Sequence, residues 1–172
     1  MVKIEYLDNP SDTDKLLAML CPPVRNWFKD KFPDFTRPQK LAIPAIMENK
    51  HLLLCSPTGS GKTLTAFLTV IDELVRKALE GKLQKKVHCV YISPIKALAN
   101  DIQRNLIGPL TEISENYLPD RAQEIKVGLR TGDTPQSERQ KMLKHPPHIL
   151  ITTPESLAIA ITSPRFQPIV SE

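Results

Sequence analysis

Apolar positions change their period along the chain, and the changes mark out its elements. Across residues 15–31, Leu16, Leu17 and Leu20, then Val24, Trp27 and Phe28, recur at helical spacing. Pro22-Pro23 interrupts that run, so two short helices are expected, with Trp27 in the core they bury. A third helix is expected over 37–49, with Thr36 as its N-cap. The pattern then switches to four short aliphatic or β-branched runs, 51–55, 87–93, 125–129 and 149–153, which read as buried strands. Helical patterns separate and follow them at 62–79, 95–108, 135–143 and 155–161. Strands alternating with helices predict an α/β fold, a parallel sheet with helices on both faces.

The first junction from strand run to helix carries candidate chemistry. Leu52-Leu53-Leu54 leads into Cys55-Ser56-Pro57-Thr58-Gly59-Ser60-Gly61-Lys62-Thr63, and the helix pattern follows. A turn placed there aims consecutive backbone N–H groups at phosphates, and the helix N-terminus adds partial positive charge. Gly59 and Gly61 let that backbone come close to an oxyanion. Lys62 is placed to reach the β- and γ-phosphates of a nucleoside triphosphate, and the Thr63 hydroxyl to ligate Mg²⁺. The general phosphate-loop pattern has Gly where Ser56 stands, a position that mainly needs a small side chain. A plain Gly/Ser turn entering a helix is the bland alternative, and Gly-Lys-Thr at the helix start argues against it.

Composition narrows the class. A chain of 172 residues is one domain's worth, and 41% hydrophobic with 24% charged residues is ordinary for a globular protein. The net charge of +4 suits a polyanionic partner without demanding one. Cys21, Cys55 and Cys89 share no metal-ligand spacing and read as reduced core thiols, which points to the cytoplasm. The chain shows no membrane-length apolar run and no signal-peptide pattern at its start. His145-Pro146-Pro147-His148 lacks further ligands at metal spacing and reads as a turn before a strand. Lys82-Leu83-Gln84-Lys85-Lys86 reads as a solvated loop.

Three later junctions share a design. Ser93-Pro94, Thr134-Pro135 and Thr153-Pro154 each set a hydroxyl residue before a proline where a helix should begin, as an N-cap followed by proline at the first helical position. For any one of them, plain capping is the simpler reading. Together they lie at the carboxyl ends of expected parallel strands, the edge where open α/β sheets bind ligands. A row of helix starts there can track the phosphates of a nucleic-acid strand, with Lys96 adding charge.

These segments together resemble a superfamily 2 ATP-dependent nucleic-acid helicase, specifically of the large helicase-related (Lhr-like) family. The resemblance runs from about Trp27 to the end of the chain. Phe32 with Thr36-Arg37-Pro38-Gln39 is similar to the family's Q motif, in which the ring stacks on adenine and the Gln amide reads its edge. Residues 56–63 resemble motif I. Ser93-Pro94-Ile95-Lys96-Ala97-Leu98-Ala99-Asn100-Asp101 resembles motif Ia. Arg130-Thr131-Gly132-Asp133-Thr134 and Thr152-Thr153-Pro154-Glu155-Ser156-Leu157 resemble the next two nucleic-acid-contacting motifs. The Lys-Ala-Leu-Ala-Asn-Asp wording favours the Lhr-like group over DEAD-box RNA helicases.

The resemblance implies a RecA-like P-loop NTPase domain with ATP and Mg²⁺ as cofactors. It further implies movement along a single strand or partial duplex, DNA rather than RNA, in the 3′→5′ direction. Lys62 and Thr63 would act on the phosphates, and Phe32, Gln39 and residues 56–63 would bind the nucleotide. Ser93, Pro94, Lys96, Ala97, Asn100, Thr131, Gly132, Asp133, Thr152, Thr153 and Glu155 would face the strand. The acidic Asp-Glu motif that orients the attacking water is expected on a later strand. Ile71-Asp72-Glu73 is rejected for that role because it falls within the helix following the phosphate loop, where Asp72 and Glu73 are expected on a solvated face. Residues 1–172 are therefore expected to be the N-terminal part of a first motor domain, truncated before the acidic motif, whose partner is the remainder of its own chain. Alternatives are a non-catalytic ATP- or nucleic-acid-binding module, a DEAD-box-like RNA helicase, or a P-loop kinase, which lacks here an Arg-rich lid.

Overall fold

The Asp12 carboxylate accepts the Asp14 N–H at 2.8 Å and so starts α1, Thr13–Met19. The computed structural model describes residues 4–94 and 102–170. They fall into two compact units, Met1–Arg76 with Gly108–Asp120, and Lys77–Ile107 with Arg121–Glu172.

The first unit is helical. Pro22 opens α2, Pro22–Lys31, in the first turn, where its missing N–H is harmless. In α3, Arg37–Met47, Pro44 leaves the Lys40 carbonyl without its helical donor, and Ser11 N–H takes it at 3.0 Å. Asn49, at φ 56°, then closes α3 two residues earlier than expected. Its N–H bonds the Ile46 carbonyl and the Lys50 N–H bonds that of Ala45. The long α4, Lys62–Leu79, buries Leu64, Phe67, Leu68, Ile71, Leu74, Val75 and Ala78, one helical face. α1 packs on α3, and α2 packs on α5, Gly108–Asn116. Trp27 is core as expected, and its indole N–H reaches Glu112 at 2.6 Å. That bond, with Lys31 beside it, holds the Glu112 carboxyl below its ordinary range.

Three expectations fail in this unit. The apolar run 51–55 forms no strand among the described residues, and Leu53 is 87% exposed. Strand identity depends on a paired neighbour, and the first unit is built of helices. Asp72 does not lie on a solvated face: it is 2% exposed, accepts the Cys21 N–H at 2.6 Å and pairs with Arg76 at 2.7 Å. Glu73 alone is exposed. Burial pushes the neighbouring Cys21 thiol up to about 12. Cys55 is exposed, not core, because its run is unpaired.

The second unit holds a parallel sheet in the order β1-β3-β2. Its strands are β1, Cys89–Ile92, β2, Val127–Arg130, and β3, Ile149–Thr152. Among its described residues the unit also carries a π-helical turn, Gln103–Ile107, and the helices α6, Gln136–Lys144, α7, Pro154–Ile161, and α8, Gln167–Val170. Central β3 is buried along its whole length, as its continuous apolar run predicts. Leu150 packs with Val87, Ala160 and Phe166, and Val90, Met142, Leu143, Ile169 and Val170 close around them. At Gly128 a Cβ would lie 2.7 Å from Pro147 Cγ, so glycine lets the loop before β3 sit directly on β2. His148 belongs to that turn, as expected, with its Nδ1 accepting the Lys126 N–H at 2.9 Å. Burial holds its imidazole below the usual range, aided by His88. Among the described residues, no helix is long and apolar enough to cross a membrane.

Candidate nucleotide and nucleic-acid sites

The phosphate-loop residues and the Q-motif-like segment both belong to the first unit, and side chains join them. Gly59 and Gly61 hold φ of +79° and +84°, a region that residues with a Cβ enter at a steric penalty. Where the general pattern has glycine, the Ser56 hydroxyl meets that of Ser60 at 2.6 Å, and Ser60 also donates to the Pro57 carbonyl at 2.8 Å. The departure from the pattern thus closes the neck of the loop. Pro57, Thr58 and Gly59 are exposed.

Lys62 starts α4, and its ammonium donates to the carbonyls of Ser56 and of Pro57, the latter at 2.7 Å. Phosphate oxygens would have to replace those carbonyls. Thr63 follows it, half-buried, in the first turn of α4.

Gln39 is 3% exposed, and its carbonyl accepts the Thr36 N–H at 2.8 Å, half of a capping box. The other end of the amide lies against the loop: a Cβ on Gly61 would stand 2.8 Å from Gln39 Nε2. Thr36 hydroxyl donates to the Ser60 carbonyl at 2.9 Å. Gln39 therefore caps α3 and touches the loop at once, and its carbonyl keeps a second lone pair. Phe32 sits at the exposed edge of an aromatic group, 5.8 Å edge-on to Trp27 and 5.0 Å from Phe28.

In the second unit the register sets Ile92, Thr152 and Arg130 side by side. The residues that follow, Ser93, Thr153 and Thr131, thus share one sheet edge. Their side chains are not equally available. Thr152 is fully buried and its hydroxyl donates to the Arg130 carbonyl at 2.7 Å, which ties β3 to β2. Thr153 is also buried, and its hydroxyl accepts the Ser156 N–H at 3.3 Å, the expected N-cap of α7 ahead of Pro154. Ser93 is buried, whereas Pro94, Gly132, Asp133 and Glu155 are exposed and Thr131 is half-buried. Lys96, Ala97 and Asn100 lie outside the described residues.

Thr134 departs from its expected role. Its hydroxyl turns back to accept the Thr131 N–H at 2.8 Å, so the N-cap position of α6 falls to Pro135. Sequence reasoning also missed Arg139, whose guanidinium donates to the carbonyls of Thr134 at 2.8 Å, Gly132 at 2.7 Å and Thr131 at 3.2 Å. Arg130, 9% exposed, stacks over the Phe166 ring at 4.7 Å. Burial, reinforced by Arg139, holds its guanidinium below the usual range.

A family profile described as DEAD/DEAH box helicase matches residues 36–169. The chain is 50% identical to the ATP-dependent helicase Lhr-Core of Methanocaldococcus jannaschii, over 99% of this chain and 21% of that protein. It is 44% identical to the Lhr helicase/uracil glycosylase of Escherichia coli, over 91% of this chain and 10% of that protein. The solved Mycobacterium smegmatis helicase Lhr, bound to ssDNA and AMP-PNP, matches with a TM-score of 0.73 at 42% identity, over 87% of this chain and 19% of that one. The chain thus spans about a fifth or less of the length of these relatives. Its α/β fold is that of the RecA-like helicase domains, and the chain belongs to the DEAD/DEAH box helicase family.

Proposed function

We propose that this chain is the ATP-binding part of a nucleic-acid helicase or translocase of the Lhr type, acting on DNA in the 3′→5′ direction in the cytoplasm. The observation that carries the reading is the joined first-unit site, where the Gln39 amide lies against the Gly61 backbone and Lys62 lies over the same loop. In that site Lys62 exchanges the loop carbonyls for β- and γ-phosphate oxygens, Gln39 Nε2 donates to adenine, and Phe32 stacks on the base. The Thr63 hydroxyl fits Mg²⁺, a hard cation that takes one or two protein oxygens and draws its other ligands from phosphate and water. When bound, that ion neutralises charge developing on the phosphates.

No group of three His, Cys, Asp or Glu suited to a metal occurs among the described residues, and Asp72 is committed to Cys21 and Arg76. In this reading the carboxylate that orients water belongs to the acidic motif expected on a later strand, not to Asp72. Residues 1–172 are then the N-terminal part of a first RecA-like domain. The strand-facing set reduces to half-buried Thr131, exposed Gly132 and Asp133, Pro94 and the start of α7, with Lys96, Ala97 and Asn100 from motif Ia. DNA as the partner draws support from the M. smegmatis helicase Lhr, which was solved with ssDNA bound. A kinase reading loses ground because Arg130 and Arg139 are engaged within the fold.

The test is binding of Mg-ATP and of single-stranded DNA or RNA by residues 1–172, in parent and Lys62→Ala forms, with ATP turnover measured alongside. Mg-ATP binding lost in Lys62→Ala, single-strand binding by the parent, and essentially no turnover in the absence of the acidic motif are expected. A parent that binds neither Mg-ATP nor a single strand overturns the reading.

A further inference from the structure

The turn 131–134 is exposed at Gly132 and Asp133, yet three of its carbonyls converge on one guanidinium. The C=O and N–H of a trans peptide point in opposite directions, and the peptides of this turn are trans. The Thr131 carbonyl belongs to the peptide that carries the Gly132 N–H, and the Gly132 carbonyl to the one that carries the Asp133 N–H. With both carbonyls drawn to Arg139, those two N–H groups face away from it. Paired outward N–H groups of this kind suit an anionic oxygen. Gly132 adds no obstruction, since a Cβ there would meet nothing within 4 Å.

We propose that Arg139 is a positioning residue for nucleic acid: it holds turn 131–134 so that the Gly132 and Asp133 N–H groups meet a backbone phosphate of the bound strand. The inference rests on the strand-binding reading above. Arg139 itself stays beneath the turn, and the Thr134 hydroxyl fastens the other end through the Thr131 N–H. A planar fork can serve several carbonyls at fixed angles, which a lysine ammonium on a flexible stem does not reproduce. The Asp133 carboxylate is exposed and opposes the phosphate through its charge, so the turn binds through its peptide groups.

This role has a signature distinct from a direct ionic contact. Loss of a cationic phosphate contact flattens the salt dependence of binding by about one ion, and a Lys replacement preserves it. Loss of neutral N–H contacts lowers affinity without changing the number of ions released. The experiment measures anisotropy of a fluorescent oligo-dT on the purified parent, Arg139→Lys and Arg139→Gln across a salt series, with Mg-ATP affinity and thermal melting alongside. Both variants should bind about tenfold more weakly, the scale of one or two neutral hydrogen bonds, with an unchanged salt slope and unchanged ATP affinity. Thr134→Val, which loosens the same turn from its other end, should do likewise, and it stands in if an Arg139 variant fails to fold. Parent-like binding by Arg139→Lys overturns the positioning role, as does a salt slope reduced only in Arg139→Gln. A parent that does not bind oligo-dT at all overturns the strand-binding reading instead.

Discussion

Gly61→Ala tests whether the phosphate loop and the Gln39 amide form one unit. The residue holds φ +84°, and an added Cβ would stand 2.8 Å from Gln39 Nε2, 3.4 Å from its Cδ and 3.6 Å from Thr36 Oγ1. The left-handed backbone alone costs a residue with a Cβ roughly 1–2 kcal/mol. The contact with Nε2 adds to that. Gln39 is buried, so its amide can move aside only by giving up the Thr36 N–H, a bond worth about 0.5–1.5 kcal/mol. The single change should therefore destabilise the chain by roughly 1.5–3.5 kcal/mol. With Gln39→Ala in place no amide stands in the way, and only the backbone component remains. Urea unfolding of the parent, both single variants and the double variant should give a coupling of about 0.5–1.5 kcal/mol, the double being milder than the sum. Gly59→Ala serves as the internal control. It has φ +79° but no atom within 4 Å of its would-be Cβ, so it should carry the backbone component and no coupling to Gln39. Additivity of Gly61→Ala and Gln39→Ala within about 0.3–0.5 kcal/mol would refute the contact.

Gln39→Ala should also narrow the preference for ATP over GTP, by an amount on the order of 1–3 kcal/mol if the amide reads the base; an unchanged ratio of the two affinities would leave it as a helix cap alone. Asp72→Ala strips the buried Cys21 N–H of its acceptor and should cost about 1–3 kcal/mol, a fall in melting temperature of roughly 2–4 °C per kcal/mol. A melting curve that overlays the parent's would contradict the buried tie. Hydrogen bonds from Lys40 and Thr13 hold the Asp34 carboxyl down to about 2, below its unfolded value near 3.9. A folded-state value lowered in this way stabilises above about pH 4, and the contribution is lost as pH falls through about 2. The stability gap between parent and Asp34→Asn should therefore be full at about pH 5 and shrink between about pH 4 and 2; a gap independent of pH contradicts the bonding.

Most of the helices were legible because their signals are local. Thr36, Thr153 and the proline after Thr153 mark starts within a turn of the feature they control, and the buried face of α4 repeats within its own length. β1, β2 and β3 were legible for a different reason: alternation with helices implies parallel partners even before the partners are known. The run 51–55 had the same apolar composition and failed, because pairing is a property of two segments and neither one reveals it alone.

Side-chain partners were not legible wherever a polar group answers to a distant one. Asp72 looks like half of an exposed i, i+4 pair with Arg76, and that pair exists, but its other oxygen serves a backbone N–H fifty-one positions away. Thr152 and Thr153 look equivalent in the motif. One crosses to the Arg130 carbonyl of the next strand and the other caps its own helix, so only the second follows from local spacing. Arg139 gave no signal at all, since a lone arginine in the first turn of a polar helix is ordinary. What would have exposed it is the carbonyl account of turn 131–134: a surface turn that binds anions through its N–H groups must satisfy the opposed carbonyls from beneath. That requirement calls for a donor several residues downstream, on the helix that the turn begins.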